Sequence, residues 1–160
     1  EGTKIDFEVA GSQNDLNLFS DLDDGDNDGF AARLAAKQTL LKTVDTLTLT
    51  GHGSLDFVNN DFRTIERLYN IEFIRDWNLI DPMGDQRFII AGMELSKPRV
   101  GLAGYEYQNL NFSENFKGNR HVLNAGLRPG KFRINSSSSY LSSESDSLNS
   151  KFLRSFTNAV

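Results

Sequence analysis

Residues 47–57 alternate between apolar and polar side chains, and no other stretch constrains the fold as strongly. One set of alternate positions holds Leu47, Leu49, Gly51, Gly53, Leu55 and Phe57, and the other holds Thr48, Thr50, His52, Ser54 and Asp56. A period of two is typical of a β-strand with one apolar and one polar face. The stretch therefore predicts a two-faced strand.

The same alternation recurs along the chain, with turn residues between the repeats. Further strands are predicted at 3–9, 87–95, 99–112, 120–127, 132–142 and 151–160, and polar loops at 11–29, 113–119 and 143–150. The connections are too short for parallel crossovers. We therefore expect an all-β fold, an antiparallel up-and-down meander of about 8–9 strands, with residues 1–160 as a single domain.

Two stretches fit either a strand or a helix. Residues 30–41 favour a strand because their neighbours are strands, although their alanines suit a helix. In 61–79, Phe62, Tyr69 and Trp77 recur near helical spacing, whereas the β-preferring aromatic content favours a strand. We predict strands in both stretches and retain the helix as the alternative.

Composition excludes several classes of protein. The 160 residues carry a formal net charge of -5, which argues against a nucleic-acid-binding protein. There is no cysteine, so disulfides and thiolate metal sites are excluded. No apolar run is long enough for a transmembrane helix. Because the sequence starts at Glu1 without methionine and ends inside an apparent strand at Val160, we expect a piece of a longer chain.

Such a meander can close in two ways, as a soluble sandwich or as the wall of a transmembrane β-barrel. A barrel strand needs about 9–11 tilted residues that alternate between apolar and polar. Aromatic residues near predicted strand ends are typical of the girdles at membrane interfaces, although core packing would also explain them; they are Phe57, Phe62, Trp77, Phe112 and Phe116. Both closures stay open on these grounds.

An acidic stretch resembles the start of a calcium-binding loop. Asp24, Asp26 and Asp28 alternate, and Gly29 follows them. Carboxylates at this spacing can surround a hard cation, but the twelfth position, where an EF-hand has glutamate, is Ala35. We name Asp24, Asp26 and Asp28 as candidate Ca²⁺ ligands, with a solvated acidic loop as the alternative.

No catalytic motif emerges. His52 and His121 are the only histidines, and nothing in the sequence pairs them. The charged residues between 63 and 76 could serve acid–base chemistry, but such side chains more often form ion pairs. The serines at 136–139 lack a nucleophile-elbow motif. We predict that the protein is not an enzyme.

Two stretches carry a resemblance to a known class of protein. NNDFRTIERLYNIEFIRDWNL (59–79) and the Asn-rich hairpin NLNFSENFKGNRH (109–121) resemble large cell-envelope proteins of Bacteroidota that contain outer-membrane-type β-sheet. The resemblance implies a structural, transport or assembly role in the outer membrane, with lipid and other envelope proteins as partners and no catalytic residues. The alternative is a soluble secreted or periplasmic β-sandwich that binds a ligand such as a glycan through its loops with the help of calcium.

Overall fold

A computed structural model describes residues 2–14, 28–65, 67–128, 130–146 and 148–160. It contains eight β-strands: β1 (Thr3–Gln13), β2 (Asp28–Lys42), β3 (Thr48–Val58), β4 (Gln86–Lys97), β5 (Gly101–Phe112), β6 (Phe116–Leu127), β7 (Ile134–Ser145) and β8 (Asn149–Ala159). One short helix, α1 (Phe73–Trp77), lies between β3 and β4. The chain is therefore all-β, as its alternation predicts.

The strands form a single antiparallel sheet in chain order, β1 to β8. Each strand pairs along nearly its whole length with the next one in sequence. Within the described ranges, the outer edges of β1 and β8 pair with no strand, so the sheet is not closed into a barrel. The predicted up-and-down meander is confirmed, with eight strands.

Connections of very different length leave the two ends of the sheet. Residues 43–47, 98–100 and 128–133 join strands at one end. The connections at 14–27, 59–85, 113–115 and 146–148 all leave the opposite end, which we call the long-loop end. Both long connections therefore leave the sheet from the same end. We call residues 59–85 the inserted segment.

Side chains divide the sheet into two faces by strand parity. The apolar face is the one that carries Phe7, Leu34, Leu55, Ile89, Tyr107, Leu123, Tyr140 and Leu153. The polar face is the one that carries Glu8, Arg33, Asp56, Glu106, Arg120 and Arg154. Each face is continuous across the sheet because directly paired residues point the same way.

The hydrophobic core lies on the polar face. Its buried members are Trp77, Leu79, Phe88, Leu110, Phe112, Phe116 and Leu141, with Tyr69, Phe73 and Ile90 packed against them. The strand members all come from the long-loop ends or middle of β4 to β7, where the inserted segment covers them. The core is thus built between the inserted segment and one end of the sheet.

The strand predicted within 61–79 is wrong, and this removes the ninth strand. Residues 73–77 form α1, which ends where Asn78 adopts a left-handed conformation with φ 53°. The Leu79 amide donates to the Ile74 carbonyl and so closes the last turn. The aromatic spacing was the correct signal, because Tyr69 and Phe73 stack at 4.2 Å and both pack edge-on against Phe88.

The strand predicted at 30–41 is confirmed by β2, but three loop predictions need correction. The predicted loop 11–29 is shorter at both ends, because β1 continues to Gln13 and β2 begins at Asp28. The predicted loop 113–119 is shorter, because β6 already begins at Phe116, which is buried in the core. The loop at 143–150 is likewise reduced, since β7 continues to Ser145. No helix in the described ranges has the length and hydropathy needed to cross a membrane.

Candidate functional site

The apolar face is exposed although it is the more hydrophobic of the two. Phe7 is 69% exposed, Met93 56% and Leu123 53%. Other large apolar side chains on this face share that exposure: Ile5, Val9, Phe30, Leu34, Leu55, Leu95, Tyr105, Tyr140 and Leu153. A continuous exposed apolar surface of this size marks a contact with another molecule or with lipid.

Charged side chains on the apolar face occur only near strand ends. At the long-loop end they are Asp28, Arg87, Lys117, Glu144 and Lys151, and at the other end Lys97. Between these positions the strands carry no Asp, Glu, Lys or Arg on this face within the described ranges. The face is therefore an uncharged band with a charged rim at both ends.

The border of this band at the long-loop end shifts from row to row between β2 and β5 and then keeps one row as far as β7. Leu55 on β3 and Ile89 on β4 are paired and apolar, yet the next residue in the same row, Asn109 on β5, is polar. On β5 the apolar band begins at Tyr107, one row further from the long-loop end. If the strands are tilted, a band at constant height along the barrel axis crosses successive rows of paired residues. A tilt near 40° changes the height of each row by about 3 Å from one strand to the next.

The opposite border shifts in the same direction. Lys97 on β4 shares a row with Gly101 and with Leu127 on β6. The band therefore extends further on β6 than on β4 at this end. Both borders are oblique in the same sense, which is the pattern of a level apolar belt on tilted strands.

Aromatic rings follow the border at the long-loop end. Phe30 on β2 stacks with Phe57 on β3 at 5.4 Å. Further along the sheet the border is occupied by Tyr107 and Tyr140, with His121 between them. Amphipathic rings at a polar–apolar boundary are typical of membrane interfaces. Of the predicted girdle, only Phe57 lies here; Trp77, Phe112 and Phe116 are core residues.

Hydroxyl groups interrupt the band on β7 and β8, but they satisfy one another. The Ser138 and Ser155 hydroxyls are 2.8 Å apart, and those of Ser136 and Thr157 are 3.0 Å apart. Each pair spans the two strands directly. Pairing of this kind lowers the cost of placing a polar group in an apolar medium.

The polar face carries ion pairs along its strands. Arg33 Nε lies 3.5 Å from Asp56 Oδ1, and Asp56 is 8% exposed. His52 Nε2 lies 3.0 Å from Glu106 Oε2, with both side chains partly buried. Charges in mid-strand positions on this face contrast with the uncharged band on the other.

The inserted segment reaches from one edge of the sheet to the other across the polar face. Near one edge the Arg63 amide donates to Ser12 Oγ on β1 at 2.9 Å. Near the other, the Asn78 side-chain amide donates to Ser150 Oγ on β8 at 3.1 Å. The segment therefore lies across all eight strands of the polar face.

Asp76 of α1 adds a charged attachment to the far side of the sheet. Its carboxylate lies 3.6 Å from Arg120 Nη1 on β6 and 3.3 Å from Arg154 Nη1 on β8. The Asp76 and Arg120 side chains are 20% and 18% exposed, so this pair is partly shielded from water. The attachment fixes the position of α1 relative to β6 and β8.

Two glycines on the polar face let the segment approach the backbone of the sheet. A Cβ at Gly29 would come within 2.3 Å of the Phe62 Cα, and one at Gly118 within 2.9 Å of the Trp77 ring. Any side chain at these positions would push the segment away from the sheet. The lack of a side chain at Gly29 and Gly118 therefore allows the inserted segment to pack directly on the backbone of the sheet.

Tyr69 links the segment to β4. The Gln86 side-chain amide donates to the Tyr69 hydroxyl at 2.6 Å. Burial raises the pKa of the Tyr69 phenol above its ordinary value, and the nearby Asp56 carboxylate adds to the increase. The neutral phenol is therefore the form that the folded state favours.

A cavity of about 780 Å³ lies between the segment and β1–β3. Its walls include Arg33 and Asp56 from the sheet and Phe62, Arg67 and Tyr69 from the segment. Polar, charged and aromatic groups thus surround a space on the polar face that the segment does not fill.

The predicted calcium ligands are only partly placed. Asp24 and Asp26 lie outside the described residues, while Asp28 is the first residue of β2 and pairs with Gln13. Among the described residues, no three acidic or histidine side chains converge on a possible metal position. Calcium binding by the acidic loop stays a prediction.

The other candidate residues are not brought together for chemistry. His52 lies on the polar face and His121 on the apolar face, so the sheet separates them. Glu72 pairs with Arg75 at 2.7 Å on the surface of α1. Asp76 instead reaches across to the sheet, and Glu66 lies outside the described residues.

Sequence reasoning missed the inserted segment as the element that covers the polar face. The signal was present in the helical spacing of Tyr69, Phe73 and Trp77, which places three rings on one side. It was outweighed by the β-rich context. Compared with known proteins, the chain matches no family model, no curated protein and no solved structure.

Proposed function

We propose that residues 1–160 form part of the wall of an outer-membrane β-barrel in a cell envelope, with a structural, transport or assembly role. The apolar face would contact lipid, and the polar face would line the interior together with the inserted segment. The proposal assigns no catalytic residue. It rests chiefly on one observation, the oblique and uncharged apolar band bordered by aromatic rings.

The band matches what lipid requires of a strand surface. Every strand has at least eleven residues, enough for a tilted crossing of the hydrocarbon layer. Uncharged side chains occupy the middle of the apolar face, and charges lie at its two ends. In water the same surface would expose large side chains such as Phe7 and Leu153 with no compensation.

The location of the core supports the same assignment. A soluble sheet with one wet face buries its apolar face and exposes its polar one. Here the buried cluster around Trp77 and Leu110 lies on the polar face, beneath the inserted segment. The apolar face is thus left for a medium other than water.

The connections suggest an orientation in the membrane. Outer-membrane barrels have long loops on the outside and short turns in the periplasm. The two long connections, 14–27 and 59–85, leave the same end of the sheet. The long-loop end would therefore face outward, and the connections at 43–47 and 98–100 would face the periplasm.

Membrane fractionation tests the proposal. In cells that make the natural polypeptide, we expect the protein to sediment with the outer membrane and to resist extraction by salt or high pH. It should need detergent to remain monodisperse. A protein that stays soluble and monodisperse without detergent would overturn the proposal and favour a secreted ligand-binding domain.

A lipid-contact probe adds a test that depends on the faces. The chain has no cysteine, so single cysteines can be introduced without background. We expect Met93→Cys, on the apolar face, to be shielded from a water-soluble maleimide but labelled by a membrane-soluble one. Ala91→Cys should behave alike, and Lys97→Cys at the rim should react with both reagents. Equal reaction of all three with the soluble reagent would contradict lipid contact.

A further inference from the structure

We infer that both edges of the sheet pair with additional antiparallel strands of the same polypeptide, so that the finished barrel has more than eight strands and encloses the inserted segment. The inference rests on the proposed membrane location and goes beyond it by naming the interaction surfaces and their partner. The partner is a strand with alternating apolar and polar residues.

The main chain at the two outer edges of the sheet requires partners. Within the described ranges, β1 and β8 each present an eleven-residue edge with no strand partner. Both strands carry part of the apolar face, where Phe7 and Leu153 are exposed. Main-chain amides and carbonyls at the depth of the hydrocarbon layer must be paired, so neither edge can remain open there.

Direct closure of β1 onto β8 would leave too little room for the inserted segment. An eight-stranded barrel has an interior that side chains alone nearly fill. Here the polar face also holds the inserted segment, with α1 and the Trp77, Phe73 and Tyr69 rings. Even one helical turn with side chains is about 10 Å wide. Enclosing it requires a wider wall.

Exposed side chains on the polar face of β8 are consistent with a further strand beside it. Phe152 and Phe156 point to this face and are 53% and 66% exposed, with Arg154 between them. Two exposed rings beside the free edge of the sheet are expected where a neighbouring strand would supply side chains to cover them. On the apolar side, Leu153 continues the band to the same edge.

The order of the strands in the sheet indicates where the additional strands come from. The order of strands in the sheet is the order in the chain, without exception from β1 to β8. In a meander, the position beside an edge strand belongs to its neighbour in sequence. The free side of β1 is thus the position for a preceding strand, and that of β8 for a following one.

Hydrogen exchange on the natural polypeptide in detergent micelles provides the direct test. We expect amides of β1 and β8 to be protected within about tenfold of those in β4 and β5. Exchange in β1 and β8 that is faster by several orders of magnitude would overturn the inference. If such a protein still needed detergent, the proposed membrane function would stand while this inference failed.

Cysteine cross-linking tests the two competing closures. Asp6→Cys is combined in turn with Phe152→Cys, Arg154→Cys and Phe156→Cys, which covers three registers of a direct contact between β1 and β8. We expect none of these pairs to oxidise. Phe7→Cys with Leu34→Cys, a directly paired position of β1 and β2, should cross-link and serves as the positive control.

A disulfide between β1 and β8 would overturn the inference, whether it forms within one chain or between two chains. A disulfide within one chain would show that β1 closes onto β8 in an eight-stranded barrel. A disulfide between two chains would show that a second copy occupies the edge. Absence of both, with protected edge amides, supports additional strands from the same polypeptide.

Discussion

The Trp77 ring lies directly over Gly118, and a Cβ at Gly118 would come within 2.9 Å of Trp77 Cζ3. Trp77 is 1% exposed and also packs edge-on against Phe88 at 5.7 Å. The contact joins α1 to the long-loop end of β6, at a position where an added Cβ would be closer than real Cβ contacts allow. It is one of several attachments of the inserted segment.

Gly118→Ala should therefore weaken the attachment of the segment. The added methyl group would also come within 2.9 Å of the Phe116 ring, so two rings must move. We expect the free energy of unfolding to fall by about 1–3 kcal/mol. Urea unfolding followed by the fluorescence of Trp77, the only tryptophan, measures this change.

Gly104→Ala is the matched control for this substitution. Gly104 lies on the same face in β5, and the nearest atom to a Cβ there is the Met93 carbonyl oxygen at 3.6 Å, an ordinary contact. Its unfolding free energy should stay within about 0.5 kcal/mol of the unsubstituted protein. Equal losses of unfolding free energy in both variants would show that the contact between Trp77 and Gly118 does not cause the destabilisation.

Neighbouring residues on opposite faces should respond differently to a charge. Leu123→Arg places a guanidinium in the middle of the apolar band and should cost about 2–4 kcal/mol in a bilayer. Val122→Arg introduces the same group on the polar face, opposite Glu106, and should be far less costly. Folding yield into lipid vesicles, read from the heat-modifiable gel mobility, distinguishes them. Similar yields for the two variants would contradict lipid contact by this face.

Asp76→Asn should loosen α1 from the far side of the sheet. It removes the negative charge that faces Arg120, in a pair that is largely shielded from water, and Arg154, whose side chain is 52% exposed. We expect a loss of about 1–2 kcal/mol in unfolding free energy, after allowance for solvent screening. The comparison is Glu72→Gln, whose pair with Arg75 is more than 40% exposed on both sides and should contribute less than about 0.5 kcal/mol.

Stability should fall at alkaline pH because of Tyr69. Burial raises the pKa of its phenol in the folded state, whereas in the unfolded chain the pKa is near 10. Below that value both states bind the proton and the contribution is complete. As the pH rises above about 10, the unfolded chain ionises first, so unfolding becomes more favourable.

Tyr69→Phe should remove this part of the alkaline loss. At pH 8 the variant should be less stable by about 1 kcal/mol, because the hydrogen bond from Gln86 is lost. Unfolding free energies of both proteins between pH 8 and pH 11 give the comparison. Parallel pH profiles would mean that Tyr69 ionises as easily in the folded state as in the unfolded chain.

Alternation along the chain was enough to predict the strands and their up-and-down order. It could not tell which face would be buried, because the usual pattern, in which an antiparallel sheet packs its apolar face on the core, does not hold here. Phe88 and Leu110 stand on the polar face among charged neighbours, and only the arrival of the inserted segment makes them a core. That arrangement depends on long-range packing, which periodicity does not encode.

The inserted segment shows a second limit of local reasoning. Residues 61–79 offered both a strand and a helix pattern, and the β-rich neighbourhood favoured the wrong one. What decides the outcome is that Phe73 and Trp77 both contact the single ring of Phe88, each at 5.7 Å. A helix brings residues four apart to within about 6 Å along its axis, whereas a strand separates them by about 13 Å. The predicted calcium ligands Asp24 and Asp26 lie outside the described residues, so that prediction awaits a calcium titration.

The position of the core has a consequence for how the sequence can vary. On the apolar face Leu123 and Met93 are more than half exposed, so an uncharged apolar residue of another shape should serve there. On the polar face the shape of each residue matters, as the contact between Gly118 and Trp77 illustrates. Over evolutionary time the two faces should therefore diverge by different rules, the first conserving hydropathy alone and the second conserving individual residues.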